Sequence, residues 1–401
     1  MAKPPWDLFC RVIDNLGDAG VCWRLAAALG RRGQPVRLWI DQPTPLAWMA
    51  PQGAPGVTVV PWVDTLPDVE PGAVVVEAFG CNPPPGFVAR MAARSPAPVW
   101  INLEYLSAEA YVERSHRLPS PQFSGPGTGL TKWFFYPGFT PATGGVLHDD
   151  PTGTEADARA WLQGQGWGPA EGERTVVVFC YDNPALPGLL QALADRPTRL
   201  LLPPGPAQAQ VLGALGALTL PPNLRATALP HLPQPDFDRL LAAADLNLVR
   251  GEDSFVRAQV CGHGPFLWQI YPQDDGAHAA KLDAFLDRYL AAAPATQADR
   301  HTAAGGEAAA AAASEPASEA GIETVSDAAS EVGSETDRET TNAVRRAFHR
   351  FNGLDVSPWT LPSPAAWRAF HQAWRARLRQ QDDLCGQLLC FAASHAAADA
   401  G

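Results

Sequence analysis

Two short segments of this chain place carboxylates and glycine directly after a run of apolar residues. The first is Asp14-Asn15-Leu16-Gly17-Asp18-Ala19-Gly20, which follows the strand-like Leu8-Phe9-Cys10-Arg11-Val12-Ile13. Asp14 and Asp18 are close enough to converge on one group, and the glycines let the backbone turn sharply beside a substrate. Paired carboxylates at such a turn can grip a cation or move a proton. The plainer account makes Asp18 a helix N-cap and Asp14 a turn residue, and spacing alone does not choose between them. The second segment is Arg250-Gly251-Glu252-Asp253-Ser254, after Leu246-Asn247-Leu248-Val249. A helix is expected to follow it through Phe255–Val260. Its N-terminal amides, with Arg250, suit a phosphate. Glu252 or Asp253 suits sugar hydroxyls. Acids and Ser also favour a first helical turn, but an arginine and two acids more than fill a cap.

Phe179-Cys180-Tyr181-Asp182-Asn183 ends another apolar run, and aromatics at a strand tip can stack on a nucleobase, although core packing explains them too. His231-Leu232-Pro233-Gln234 offers polar groups for a base edge, or a plain turn. There is no GxxxxGK[ST], no HExxH and no Cys/His cluster with zinc spacing. Asp236-Phe237-Asp238 spells a DxD, which binds metal and nucleotide in some glycosyltransferases. Here it follows Pro235 and precedes the helical run Leu240–Ala244, so first-turn acids of a helix account for it better. No metal is expected.

The elements that must hold these residues alternate strand and helix. After the first loop, Val21, Leu25 and Leu29 recur at four-residue spacing until Gly30 and Gly33, and Val36–Ile40 reads as the next strand. Further strands are expected at Ala73–Glu77 and Val99–Leu103. The pattern restarts near residue 174 with Thr175–Cys180, Arg199–Leu202 and Leu246–Val249. Between the halves, the Trp- and Gly-rich stretch Trp161–Gly172 suits a boundary. The expectation is an α/β chain of two Rossmann-like domains, 1–172 and 173–363, with strand C-termini around a shared cleft. The helical pattern of the C-terminal segment, 364–401, is expected to pack back on the first domain. Residues 291–341 hold acids every four residues from Glu315 to Glu339 and little apolar surface, so a disordered insertion is expected there.

Composition narrows the classes. A chain of 401 residues exceeds one core, and 46% hydrophobic with 18% charged residues suits a globular protein. The net charge of −12 argues against direct nucleic-acid binding. Ten acids against two arginines between Asp299 and Glu339 supply most of it, leaving only about −4 elsewhere. No apolar run is long enough for a membrane-spanning helix, the N-terminus lacks the pattern of a secretory signal, and seven scattered cysteines form no CxxC pair. A cytoplasmic location without membrane contact is expected.

Taken together, these segments resemble the protein-arginine rhamnosyltransferases that modify and activate bacterial translation elongation factor P. The similarity lies in Pro4–Gly20, Trp100–Glu109, Thr131–Phe135, Arg250–Gln259 and Trp268–Gln273, and weakens after about Tyr289. The resemblance implies a GT-B glycosyltransferase fold, dTDP-β-L-rhamnose as donor and inversion at the anomeric carbon. It implies elongation factor P as protein acceptor. Asp18 falls on the family's general base and Asp14 on its acidic companion. Phe179 and Tyr181 fall on nucleotide-contacting aromatics, Gln234 lies near the thymine, and Arg250, Glu252, Asp253 and Ser254 fall on the diphosphate- and sugar-binding segment, joined by Tyr271. His231 departs from the family pattern, standing where an aromatic sandwiches the base. The alternatives are a GT-B glycosyltransferase or epimerase acting on a small molecule, or a nucleotide-sugar-binding regulator without turnover. The Pro-, Gly- and aromatic-rich segment 118–145 suits either an acceptor-facing surface, which favours a protein substrate only weakly, or an ordinary structural loop.

Overall fold

The first strand, β1 (Trp6–Cys10), is buried at all five positions and apolar except for Asp7, as a parallel strand covered on both faces must be. That one charge is fully met. Asp7 accepts hydrogen bonds from the Arg37 guanidinium at 2.7 Å, the Trp39 indole at 2.8 Å and the Gly72 amide at 2.6 Å. The structure, a computed structural model, describes residues 3–13, 16–63, 68–148, 153–217, 220–271, 276–292 and 325–398, excluding the side chains of 214–217, 325–337 and 396–398.

The first half continues through α1 (Gly17–Arg31), β2 (Val36–Ile40), α2 (Leu46–Met49), β3 (Val57–Pro61), β4 (Val74–Ala78), α3 (Pro85–Ala93), β5 (Val99–Leu103), α4 (Tyr111–Ser115), β6 (Pro119–Pro121) and β7 (Thr131–Phe135). Its sheet runs β3-β2-β1-β4-β5-β7-β6, parallel except for β6 against β7. The second half comprises α5 (Glu155–Gly164), β8 (Arg174–Val178), α6 (Leu186–Leu193), β9 (Thr198–Leu202), α7 (Pro206–Ala217), β10 (Leu224–Ala228), α8 (Gln234–Ala243), β11 (Leu246–Arg250), α9 (Asp253–Val260), β12 (Phe266–Gln269), α10 (Ala277–Leu290), α11 (Val325–Phe351), α12 (Pro364–Arg379) and α13 (Leu384–Ala398). Its parallel sheet runs β10-β9-β8-β11-β12. Strand order reverses beside β1 in one sheet and beside β8 in the other. Ligands of open α/β sheets bind at such switch points. The loops after β1, β8 and β11, which carry most of the candidate residues, all leave from them, whereas Gln234 follows β10 and Tyr271 follows β12.

Several expectations need correction. β1 stops at Cys10 rather than Ile13, because the Val12 amide turns to Asp41 and the Ile13 amide to Asp18 instead of a neighbouring strand. The stretch Trp161–Gly172 is not wholly a linker. Its first residues close α5, which is opened by a capping box of Thr154 and Asp157 and buries Ala158 and Leu162 in the second core. The C-terminal segment does not return to the first domain as a unit. In α12, Trp367, Phe370, Trp374 and Leu378 pack on the second core, and only α13 crosses, burying Leu384, Cys385, Leu388 and Phe391 in the first. Of the acidic segment 291–341, residues 293–324 lie outside the described residues, whereas 325–341 are helical within α11. The apolar positions of that helix, Val344, Ala347, Phe348 and Phe351, anchor it in the second core, and the helix extends back from them.

Candidate active site

A cleft lined from both halves lies between the two sheets. On the second-sheet side, β8 delivers Phe179 and Tyr181, and β11 delivers Arg250. The Arg250 guanidinium carbon sits 4.7 Å from the Phe179 ring centre and 4.8 Å from that of Tyr181, so a cation and two aromatic faces line one wall. Tyr271 stands edge-on to Tyr181 at 5.5 Å and is 56% exposed; it supports that wall from outside the cleft lining. His231 and Gln234 line the same cleft. His231 packs on Trp48 of α2 with ring centres 4.4 Å apart, so the first domain brings an aromatic to that end.

The turn Arg250–Ser254 is held by contacts that differ from ordinary capping. Gly251 takes a left-handed φ of 60°, which aims the following residues into α9. Ser254 Oγ accepts from the Arg250 amide at 3.2 Å and donates to the Arg250 carbonyl. Glu252 occupies the N-cap position but makes no side-chain cap. Its carboxylate instead accepts from the Leu106 amide of the opposite domain at 2.9 Å. Burial pushes the Glu252 carboxyl up to about 7, with Asp18 and Asp253 adding to the effect and Lys281 and the Leu106 amide opposing it.

On the first-sheet side, Asp18 opens α1 and is 3% exposed. One carboxylate oxygen accepts from the Ile13 amide at 2.8 Å, and the other lies 3.4 Å from the Tyr105 hydroxyl. Tyr105 stacks on Phe79 at 4.2 Å and remains 37% exposed, which places Asp18 beneath an aromatic ledge. The neighbouring Leu16 and Gly17 line the cleft. Asp14 lies outside the described residues.

The two sides meet directly. Gln234 Nε2 donates to the Gly20 carbonyl at 3.1 Å. Arg24, on the same helix as Asp18, donates to Asp253 at 2.6 Å and to both oxygens of Asp238 at 2.8 and 2.9 Å. Burial alone would lower the Arg24 pKa, and the Asp238 and Asp253 carboxylates reverse that and leave it raised. Asp238 is also held by the buried Arg257. Asp236, in the first turn of α8, pairs with Arg239. Both acids of the DxD therefore serve arginines. Among the described residues no group of three or more His, Cys, Asp or Glu is arranged to hold a metal.

The family model described as the elongation factor P (EF-P) rhamnosyltransferase EarP matches residues 6–316. The chain belongs to that family. Protein-arginine rhamnosyltransferases of Pseudomonas putida and Pseudomonas aeruginosa are 45% and 43% identical to it, over 72% and 73% of this chain and 82% and 84% of theirs. A solved EarP structure, described for arginine glycosylation of translation elongation factor EF-P, matches with a TM-score of 0.54 at 27% identity, covering 97% of this chain and 98% of that one. The paired doubly wound sheets are accordingly the GT-B fold of an EarP-family glycosyltransferase. No helix among the described residues is long and apolar enough to cross a membrane.

The structure thus gathers Phe179, Tyr181, Gln234, Arg250, Glu252, Asp253 and Ser254 along one cleft, while Tyr271 and the buried Asp18 lie outside its lining, Asp18 next to the lining residue Gly17. Sequence reasoning did not single out Arg24, Trp48 or Tyr105. Arg24 carried a signal, being a lone charge within the otherwise apolar run Val21–Leu29. Tyr105 lay within the family-like stretch Trp100–Glu109, and Trp48 had no signal beyond residue type.

Proposed function

We propose that this EarP-family protein transfers L-rhamnose from dTDP-β-L-rhamnose to an arginine side chain of translation elongation factor P, with inversion and without a metal, in the cytoplasm. The observation that carries the proposal is the joining of the Asp18-bearing helix to the Arg250–Ser254 turn across one cleft, in a chain of this family. Phe179 and Tyr181 offer flat faces to the thymidine, and Gln234 and His231 lie at the same end. Arg250 and the amides at the start of α9 face the diphosphate.

The acceptor guanidinium is charged below about pH 12, and its delocalised charge makes its nitrogens weak nucleophiles. A carboxylate cannot strip it beforehand, since the ordinary pKa values of carboxyl and guanidinium groups lie roughly nine units apart. A carboxylate can instead orient one nitrogen towards the anomeric carbon. The nitrogen–carbon bond forms as the bond from that carbon to the diphosphate oxygen breaks. The proton leaves the nitrogen during or after this step and passes to Asp18. The negative charge that develops on departing dTDP is met by Arg250 and the helix start. With Asp238 already bound by two arginines, the DxD has little charge left for a cation. The test is intact-mass analysis of elongation factor P after incubation with the purified chain and dTDP-rhamnose. A gain of one deoxyhexose on one arginine is expected, and its absence with folded proteins and intact donor overturns the proposal.

A further inference from the structure

We infer that Arg24 is a positioning residue for transfer: by bridging Asp238 and Asp253 across the cleft, it sets α1, and Asp18 with it, against the turn that faces the donor. The inference rests on the roles proposed above for Asp18 and residues 250–254. Asp18 and Arg24 share one unbroken helix. Six residues at 1.5 Å rise separate them by about 9 Å, too short a span for a helix to bend appreciably. Where Arg24 is held, Asp18 is held.

The grip is complete and two-sided. Nε serves Asp253, while Nη1 and Nη2 serve Asp238. Those two acids belong to different helices of the second domain, so the guanidinium fork senses both α8 and the start of α9. Asp238 is itself fixed by Arg257, whose Nη1 returns to the Leu147 carbonyl. Beside the bridge, Gly20 lets the helix approach closely. A β-carbon there would lie 3.1 Å from Asp253 Oδ2 and 3.3 Å from Gln234 Nε2, tighter than ordinary contact. A buried ion pair is weak evidence of stability, because well-packed apolar residues often do as well. Its directional fork does give a defined register between two bodies. On this account Asp253 acts on the reaction through Arg24 rather than by touching the sugar.

The test uses the full chain carrying Arg24→Met, Arg24→Lys or Asp253→Asn. Three quantities are read: kcat for transfer to elongation factor P at saturating donor, dTDP affinity by calorimetry, and hydrogen exchange at the Leu106 amide, which reports domain contact through Glu252. Arg24→Met should lower kcat by about 10- to 100-fold, the cost of an ångström-scale misplacement. Its dTDP affinity should stay within about threefold, because Phe179, Tyr181 and Arg250 are untouched. Exchange at Leu106 should quicken, and Arg24→Lys should recover part of the rate, since an ammonium still reaches one carboxylate. Asp253→Asn should cost less in the Arg24→Met background than alone. If Arg24→Met does not fold, the lysine and asparagine variants carry the same criteria. The inference is overturned if folded variants keep kcat within about twofold of the parent, or lose only dTDP affinity. If the parent chain itself transfers no sugar, the functional proposal fails instead. Leu106 exchange then decides separately whether Arg24 joins the domains.

Discussion

Replacing Asp18 with asparagine separates the chemistry of this residue from its place in the fold. Asparagine keeps the side-chain size and one oxygen for the Ile13 amide, now 2.8 Å from the carboxylate. Its amide group can face the Tyr105 hydroxyl, now 3.4 Å from the other oxygen. The fold should therefore lose no more than about 1 kcal/mol, the scale of one altered hydrogen bond. What disappears is the charge that orients a guanidinium and the oxygen that accepts its proton. General-base loss removes at least about 100-fold in rate, near 2.7 kcal/mol in the barrier. The nucleotide wall of Phe179, Tyr181 and Arg250 belongs to the other sheet, so dTDP affinity should change by only a few-fold. Asp18 also helps to raise the Glu252 pKa, which should move down in the variant. Transfer rate followed by intact mass, beside titration calorimetry with dTDP, measures both quantities. If folded Asp18→Asn no longer binds dTDP, or transfers at the parent rate, the division of labour between the sheets is wrong.

Arg250→Ala should instead weaken dTDP binding by about 1.5–3 kcal/mol, the loss of a charged hydrogen bond, as read by the same calorimetry. The Glu252 carboxyl titrates at about 7 in the folded chain against 4.5 normally, so the native state holds its proton to higher pH than the unfolded chain. Its relative stabilisation is thus complete below about pH 4.5 and lost as pH rises through about 7, and Glu252→Gln should flatten the melting temperature across that window. Lys132 donates to the buried Glu77 at 2.5 Å, so Lys132→Met should cost about 3–5 kcal/mol in chemical denaturation. Adding Glu77→Gln should restore most of that loss. Rhamnose transfer should survive exhaustive chelation; loss with rescue by magnesium or manganese would refute the metal-free mechanism.

Sequence was most informative where a segment's own composition dictates its environment. Val36–Ile40 and Val99–Leu103 are apolar runs with no exposed face to satisfy, and both are strands with those bounds. β12 (Phe266–Gln269) and β7 (Thr131–Phe135) were missed because β12 has only four residues and β7 opens on the polar pair Thr131-Lys132. The two acid-bearing loops were legible as candidates because they directly follow apolar runs. Their partners were not, because the donors that hold them come from distant parts of the chain.

The residue types at the cleft, the alternation that makes two parallel sheets and the family resemblance all reside in the sequence, because each depends on local order. The facing of the sheets does not. Arg24 lies 214 positions from Asp238 and 229 from Asp253, and Leu106 lies 146 from Glu252. No local rule ties such residues together. Likewise Asp236-Phe237-Asp238 reads as the start of a helix, yet only the docked domains turn Asp238 into the centre of a buried two-arginine grip. Glu252 has an ordinary carboxyl until packing removes its water and leaves one amide in exchange, which is why its pKa belongs to the tertiary structure. Local composition selects elements through burial of their own side chains; charge pairing across the cleft is decided only when two separately built sheets exclude the solvent between them.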